Sequence, residues 1–387
     1  MNVQPLIDAI NFKGIVTGLT HDFYRYPARF SPLFARAAIE AFTSPGETIL
    51  DPFMGSSTTL VEALALGRNA VGTDISSLSV FLARVKTKLL SGHDLDALEE
   101  WAIDTAPELS TRSPVVRHMD WHELGYQINL PWRFRKFAEQ ALNSIAELPT
   151  QVQPAARCIL LKTVQWAVDC KKRLPTTPDF RERLIENTFT IVAGMIELTK
   201  RVKALGKEPG GIEAHQCAAA DIGELQSELL RRRPPKLVVT SPPYPGVHVL
   251  YHRWQVLGRR ETPAPYWIAD CQDGQGGAHY TFGDRRRSDH DDHYFARLRT
   301  AFAGVRQVVH RDCIVAQLVG FAKPEQQLPL YMAAMEDAGF KEHDLGGNGK
   351  RPSQEKFWRA VPNRKWYTWL RDETKQTSEV LLVHRPA

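Results

Sequence analysis

The stretch from Glu47 to Asp74 narrows the choice of fold more than any other part of the chain. Thr48-Ile49-Leu50-Asp51 reads as a short buried strand. Pro52-Phe53-Met54-Gly55-Ser56-Ser57 reads as a tight loop of mostly small residues, and Thr58 to Leu66 as an Ala/Leu-rich helix closed by Gly67. Arg68-Asn69-Ala70-Val71-Gly72-Thr73-Asp74 then reads as a second strand with a carboxylate at its end. A strand, a loop opening a helix, and an acid about 20 residues further on make half of a doubly wound α/β nucleotide site, in which the acid can accept from ribose hydroxyls. No Gly-x-Gly-x-x-Gly occurs here, so a pyrophosphate-binding loop, and with it a nicotinamide dinucleotide, fits poorly.

A second strand-to-loop junction lies far along the chain, after Arg231-Arg232-Arg233. Lys236-Leu237-Val238-Val239-Thr240 is a short β-branched run suited to a buried strand, and Ser241-Pro242-Pro243-Tyr244-Pro245-Gly246 ends it abruptly. The prolines fix φ and remove backbone donors, which leaves acceptors and a ring. The Ser241 hydroxyl and the Pro242 carbonyl can accept from an amine, and Tyr244 offers a face for a planar base. If stacking is what Tyr244 supplies, Tyr244→Phe should be mild and Tyr244→Ala severe. Taken alone, a proline turn after a strand is equally at home as a structural loop.

Together the two stretches resemble the amino-methylating DNA methyltransferases, which use S-adenosylmethionine to modify cytosine N4 or adenine N6; the serine form of Ser241-Pro242-Pro243-Tyr244 looks most like the cytosine N4 group. That resemblance implies an α/β, Rossmann-like methyltransferase fold: a mostly parallel seven-stranded sheet with helices on both faces and an inserted helical lobe. It also implies that Ser241, Pro242, Pro243 and Tyr244 are catalytic. Cofactor binding would fall to Asp51, Pro52, Phe53, Gly55, Ser56, Ser57, Thr58, Asp74, Ile75 and Asp221. In this reading Asp51 meets the methionine amino group, Gly55 lets the backbone come close, Asp74 grips the ribose and Asp221 meets the adenine amine. Tyr26, Pro27 and Arg29 belong to a Tyr-Pro-Ala-Arg-Phe stretch that such enzymes often carry before the cofactor strand, so they would touch the methionine end too. One departure stands out. The family usually shows Gly-Ser-Gly-Thr, and here Ser57 replaces the second glycine.

By pattern alone Asp221, at the end of a predicted third strand from His215, serves equally as a helix N-cap. Residues 86–211 read as mostly helical, with Leu184, Ile191, Met195, Leu198, Val202 and Leu205 on one apolar face. The expected organisation is therefore a catalytic domain from residues 1–85 and 212–387, with 86–211 as an insertion and candidate target-recognition lobe. Within that insertion, Trp132 to Phe137 and Trp166 with Lys171-Lys172-Arg173 mix aromatics with cations. Such mixing suits nucleic-acid contact, and equally an amphipathic helix with solvated basic residues. Val247 to Trp254 is expected to be helical. A long polar loop is expected from Pro263 to Ser288, making 258–293 either a candidate DNA-facing flap or a plain surface loop.

Five scattered cysteines, none in a Cys-x-x-Cys pair, argue against a disulfide framework or zinc ribbon, and none follows a proline as in the carbon-5 cytosine methyltransferases. His248 and His252 lack the Glu of a zinc-protease helix, Asp289 to His293 reads as the start of a solvated helix, and amine methylation needs no metal. A net charge of +5 permits a polyanionic partner without requiring one. The family resemblance implies double-stranded DNA as that partner and a restriction-modification setting with a cognate endonuclease. No membrane-length apolar run and no leader-like start are visible, which leads us to expect a cytoplasmic protein.

Overall fold

The structure is a computed structural model that describes residues 4–12, 14, 16–26, 29–116, 118–245, 253–258, 260–272, 282, 289–343, 356–360 and 378–387. Ten strands are present among these: β1 (Thr48–Asp51), β2 (Asn69–Asp74), β3 (Ile212–Gln216), β4 (Leu237–Thr240), β5 (Trp254–Val256), β6 (Arg260–Thr262), β7 (Ile314–Gly320), β8 (Phe340–Glu342), β9 (Trp358–Ala360) and β10 (Ser378–Pro386). The main sheet runs β3-β2-β1-β4-β7-β10-β8. Its first five columns are mutually parallel, and β10 runs against both of its neighbours. β9 pairs with the Ser378–Val380 end of β10 and β8 with its His384–Pro386 end, both on the edge away from β7. The expected seven-stranded sheet is thus eight strands in seven columns, because two three-residue strands share the flank of one nine-residue strand.

Alternation along the strands decides which face each residue serves. Ile49, Leu237 and Val239 pack with Leu6, Ile10, Phe34, Ile39 and Leu60 on one face, whereas Leu50 and Val238 pack with Leu298, Phe302, Val305 and Met335 on the other. The first face is covered by helices Pro32–Phe42 and Thr58–Ala65, the second by His290–Val308 and Pro324–Asp337. Ser31 caps the first of these by accepting from the Leu33 amide, with Pro32 at the first helical position.

Between β2 and β3 the chain forms helices Ser77–Thr87, Gly92–Glu108, Met119–Glu123, Trp132–Ile145, Gln153–Val168 and Thr177–Lys203. Most of them share the largest apolar cluster, built around Phe134, Phe137, Leu160, Phe180 and Ile191. Thr176 and Asp179 form a capping box at the start of the longest helix. In its middle Gly194 lets the Leu19 carbonyl come so close that a Cβ would stand 2.2 Å from it. That contact docks the segment leading to Tyr26 onto the helical region.

Three expectations differ from the structure. Trp254 opens strand β5 instead of closing a helix, while 246–252, with His248 and His252, lie outside the described residues. The stretch expected as a loop from Pro263 begins with helix Ala264–Ala269, all six residues of which are buried in the helical cluster. The apolar run Ala-Pro-Tyr-Trp-Ile-Ala is core material, and the Gly- and Arg-rich tail behind it masked that signal; 273–281 and 283–288 lie outside the described residues. The third strand is Ile212–Gln216, ending five residues earlier than expected, so Asp221 falls in a six-residue 3-10 helix, Ala219–Glu224. Pairing sets that end point, since Asp74, the last residue of β2, faces Gln216. Among the described residues no helix is long and apolar enough to cross a membrane.

Candidate active site at the tips of β1, β2 and β4

Strand order reverses at β1, which has β2 on one side and β4 on the other, with Ile49 opposite Leu237 and Leu50 opposite Val238. In open α/β sheets ligands sit outside the carboxyl ends of strands at such a switch point. The two loops singled out in the sequence leave those two adjacent strands side by side.

The first loop is held mainly by its backbone. Met54 N donates to Thr73 O (3.0 Å) and Ser57 N to Met54 O (2.6 Å), and the chain turns through positive φ at Gly55 (+42°) and Ser57 (+66°). Asp74 secures the outer edge, accepting from Gly55 N and Ser76 N at 2.9 Å each. Burial, opposed by these bonds and by others from Ile75 N and the Ser79 hydroxyl, pushes its carboxyl up to about 6, yet the residue stays half-buried. Ile75 beside it accepts from Gln216 Nε2 through its carbonyl (3.1 Å). Ser56 and Thr58 hydroxyls meet at 3.0 Å, and the Pro52 carbonyl accepts from Thr73 Oγ1 (3.3 Å). Phe53 packs on Phe282 and Phe302, with centroids 5.7 and 6.3 Å away.

Asp51 is wholly buried. Its carboxylate accepts from Thr59 Oγ1 (2.6 Å), Thr240 Oγ1 (2.8 Å) and Phe53 N (3.2 Å). It thereby joins the loop after β1, the helix behind it and the last residue of β4, and burial pushes it up to about 7. Tyr26 lies over Gly55, where a Cβ would stand 3.3 Å from the ring; its hydroxyl meets Ser79 Oγ at 3.3 Å. Arg29 bonds the His21 carbonyl and Asp22, and His21 in turn meets buried Glu62 at 2.7 Å. Pro27 lies outside the described residues. Asp221 is exposed, and no hydrogen bond among the described residues joins it to this set.

One residue here, Lys86, escaped the sequence reading, and Ser57, which it named, takes a strained conformation. Lys86, 1% exposed, donates from Nζ to the Ser56 carbonyl (2.8 Å). Burial first, then the Arg29 guanidinium, pushes its ammonium down to about 7. Ser57 is fully buried in left-handed backbone without capping the helix it precedes, and its hydroxyl has no partner among the described residues. The signal for Lys86 was a lysine among the apolar residues of an amphipathic helix.

The second loop is held by side chains from far along the chain. Ser241 Oγ lies 2.9 Å from the Leu318 carbonyl and 3.0 Å from Tyr244 OH, which donates to Glu379 Oε1 at 2.8 Å. Arg359 Nε bonds the other Glu379 oxygen at 2.9 Å. The Tyr244 ring lies against Gly320, where a Cβ would be 2.8 Å away. Tyr294 OH donates to the Pro243 carbonyl (2.6 Å), and Pro242 is buried. Ser241 has one proton, which goes to Leu318 O or the tyrosine oxygen, so its lone pairs remain to accept from an amine. Among the described residues no group of three or more His, Cys, Asp or Glu could hold a metal.

A parallel sheet with one reversed strand near its edge, an acid-tipped small-residue loop at β1–β2 and a Ser-Pro-Pro-Tyr loop on the adjoining strand define a Rossmann-like α/β fold with a candidate nucleoside crevice at its switch point. Residues 12–83 match the N6_N4_Mtase family model, described as DNA methylase. It is 34% identical over 84 residues to the type II methyltransferase M.MjaII of Methanocaldococcus jannaschii, covering 22% of this chain and 15% of that protein. It is 38% identical over 117 residues to the type II methyltransferase M.MvaI of Kocuria varians, covering 29% and 24%. Over 95 residues it is 28% identical to the DNA adenine methyltransferase YhdJ of Escherichia coli, covering 24% and 32%. The match therefore spans less than two thirds of each of these relatives.

Proposed function

We propose that this protein transfers a methyl group from S-adenosylmethionine to the exocyclic N4 amine of a cytosine flipped out of double-stranded DNA. The observation that carries this is the adjacency of the Asp51–Thr58 and Ser241–Tyr244 loops on neighbouring strands, which sets a nucleoside-binding crevice beside a row of amine acceptors. The crevice suits the cofactor. Asp74, half-buried at the tip of β2, accepts from ribose hydroxyls, and Ser57 holds a buried hydroxyl that lacks a partner among the described residues.

When bound, the cofactor supplies a methyl group on a sulfonium. Ser241 Oγ and the Pro242 carbonyl accept the hydrogens of the amine and turn its lone pair toward the crevice, which is catalysis by position and electrostatics. The Pro243 carbonyl is already taken by Tyr294, so the acceptor row ends at Pro242. Flipping the base costs a few kcal/mol, and stacking on Tyr244 returns about 1–3 kcal/mol. Tyr26 and Arg29 close the methionine end, Asp221 serves the adenine amine, and the helical region of residues 86–211 reads the target.

Adenine N6 is the second reading, favoured by the likeness to a DNA adenine methyltransferase. The setting is a cytoplasmic restriction-modification system with a cognate endonuclease. Incubation with labelled cofactor and duplex DNA or RNA, followed by mass spectrometry of the nucleosides, tests the reading. N4-methylcytosine is expected, N6-methyladenine would replace cytosine by adenine, and label in RNA alone would overturn the choice of DNA.

A further inference from the structure

We propose that a cleft between helices Gln153–Val168 and Thr177–Lys203 and the Asp22–Arg29 segment binds a phosphodiester of the DNA backbone beside the flipped base. This rests on the reading of DNA as substrate, and it assigns a place that the two chemistry loops do not touch.

The cleft has a volume of about 270 Å³, room for a phosphate and part of a sugar but tight for a whole nucleotide cofactor. Five cations line it, Arg25, Arg29, Lys162, Lys171 and Arg183, against two carboxylates, Asp22 and Asp169. Arg25 pairs with Asp169 (3.4 Å) and Arg29 with Asp22 (3.2 Å). The other three cations have no ion pair with either carboxylate among the described residues. Lys162 Nζ bonds the backbone carbonyl of Asp22 (2.8 Å). Lys171 Nζ and the Arg183 guanidinium lie 5.7 and 4.7 Å from the centre of the Trp166 ring. Arg183 reaches Glu186 on its solvent side (3.1 Å), but its Nε is buried with no acceptor among the described residues.

A surplus of cations crowded into a half-buried cleft is costly unless an anion joins them. Burial lowers the Lys162 pKa and Arg183 lowers it further, so an entering phosphate would relieve both desolvation and mutual repulsion. Phosphate oxygens would supply the acceptor that Arg183 lacks. The Trp166 ring holds the two flexible side chains over the cleft before any ligand arrives. A row of solvated basic residues would not need that arrangement.

Location ties the cleft to the reaction. On one side the segment carrying Arg25 and Arg29 runs through Tyr26, which lies over Gly55 in the cofactor loop. On the other, Asp169 Oδ1 accepts from Gln255 N (3.0 Å) and Cys170 N donates to Gln255 O (2.7 Å), holding β5, the first described strand after the catalytic loop. A phosphate in the cleft would therefore sit between the flanks of both loops, where the backbone of the target strand has to pass.

The test is the salt dependence of duplex binding by the full chain carrying Lys171→Gln and Arg183→Gln, with Arg231→Gln and Arg232→Gln, exposed and at the opposite end of the sheet, as the control pair. One lost phosphate contact predicts about tenfold weaker binding and a salt slope shallower by about one, equal for target and non-target sequences. Cofactor affinity by calorimetry, melting temperature and kcat at saturating DNA should be unchanged, and KM for DNA should rise. A wild-type slope in the double variant, or an equal change in the control pair, would overturn the cleft while leaving DNA methylation standing. Failure of the wild-type chain to bind or methylate DNA would instead overturn the functional reading and the cleft with it.

Discussion

The loop after β1 and the loop after β4 stand next to each other and are built on opposite plans. The first is held by short-range contacts, with Asp51, Gly55, Thr59, Thr73 and Asp74 all within one strand-helix-strand unit. The second is held by partners from Leu318, Tyr294 and Glu379, more than fifty residues away. A nucleoside site has to present rigid backbone, which a local turn provides cheaply. A loop that admits and releases a flipped base, as proposed for the one after β4, is better served by side-chain contacts that can be tuned one at a time.

Asp51 is the one carboxylate that serves both plans, so removing it should have the largest effect. Asp51→Ala leaves the Thr240 hydroxyl buried without an acceptor and the Thr59 hydroxyl with only the Val239 carbonyl at 3.3 Å, and should cost about 3 kcal/mol in urea unfolding, with cofactor binding and turnover both lost. Asp51→Asn keeps the shape and adds a sign test. The wild-type carboxyl titrates near 7, above its unfolded value, so the folded state holds the extra proton between about pH 4 and 7. That contribution to stability is full below pH 4 and is lost as pH rises to 7. Subtracting the Asp51→Asn curve from the wild-type curve should show this fall, and a flat difference would mean the carboxylate is solvated.

Asp74→Ala should act on the first loop alone. It removes the acceptor for Gly55 N and Ser76 N and the candidate ribose ligand together. Cofactor affinity by calorimetry should drop at least about 100-fold while the chain stays folded. An unchanged affinity would move the cofactor away from β2.

Tyr244→Phe addresses the second loop alone. A stacking platform would barely notice the change, but the hydroxyl joins Ser241 to Glu379, and its loss leaves a buried carboxylate with one partner fewer. A fall in kcat of about tenfold with unchanged cofactor affinity is expected, with Glu379→Gln milder because it can still accept from the tyrosine. Full activity in the Phe variant would show that the ring resting on Gly320 is enough.

The same contrast explains what the sequence revealed. Much of the first loop was legible because most of its restraints lie within about 25 positions of each other, a distance over which pattern and turn chemistry operate, whereas Lys86 on Ser56 and Thr240 on Asp51 act from further along the chain. For the second loop the sequence showed the acceptors and the ring but not their supports. Glu379 reads as a carboxylate heading an apolar strand, and only the pairing of β10 with β7 brings it to Tyr244. Likewise Asp221 was placed in a strand because the pattern could not show where β2 ends the ladder. The helix Ala264–Ala269 was hidden by the polar stretch behind it, and the cleft at Trp166 needed the Asp22–Arg29 segment folded against two distant helices.

Ser57 gives the smallest and most discriminating change. At φ +66° a residue with a Cβ is strained by about 1 kcal/mol, and its buried, unpartnered hydroxyl costs about 1 kcal/mol more. Glycine removes both terms and adds back about 0.4–1 kcal/mol of unfolded-chain entropy. Ser57→Gly should therefore stabilise the free protein by about 1 kcal/mol, a rise of about 1–2 °C in Tm for a chain of this size. Its effect on cofactor affinity decides why serine stands where a glycine would be easier. If affinity falls several-fold while stability rises, the hydroxyl is a ligand contact and the strain is offset only when the crevice is filled. If affinity is unchanged, the first loop works as a plain backbone turn, and its contrast with the side-chain-held loop on β4 is complete.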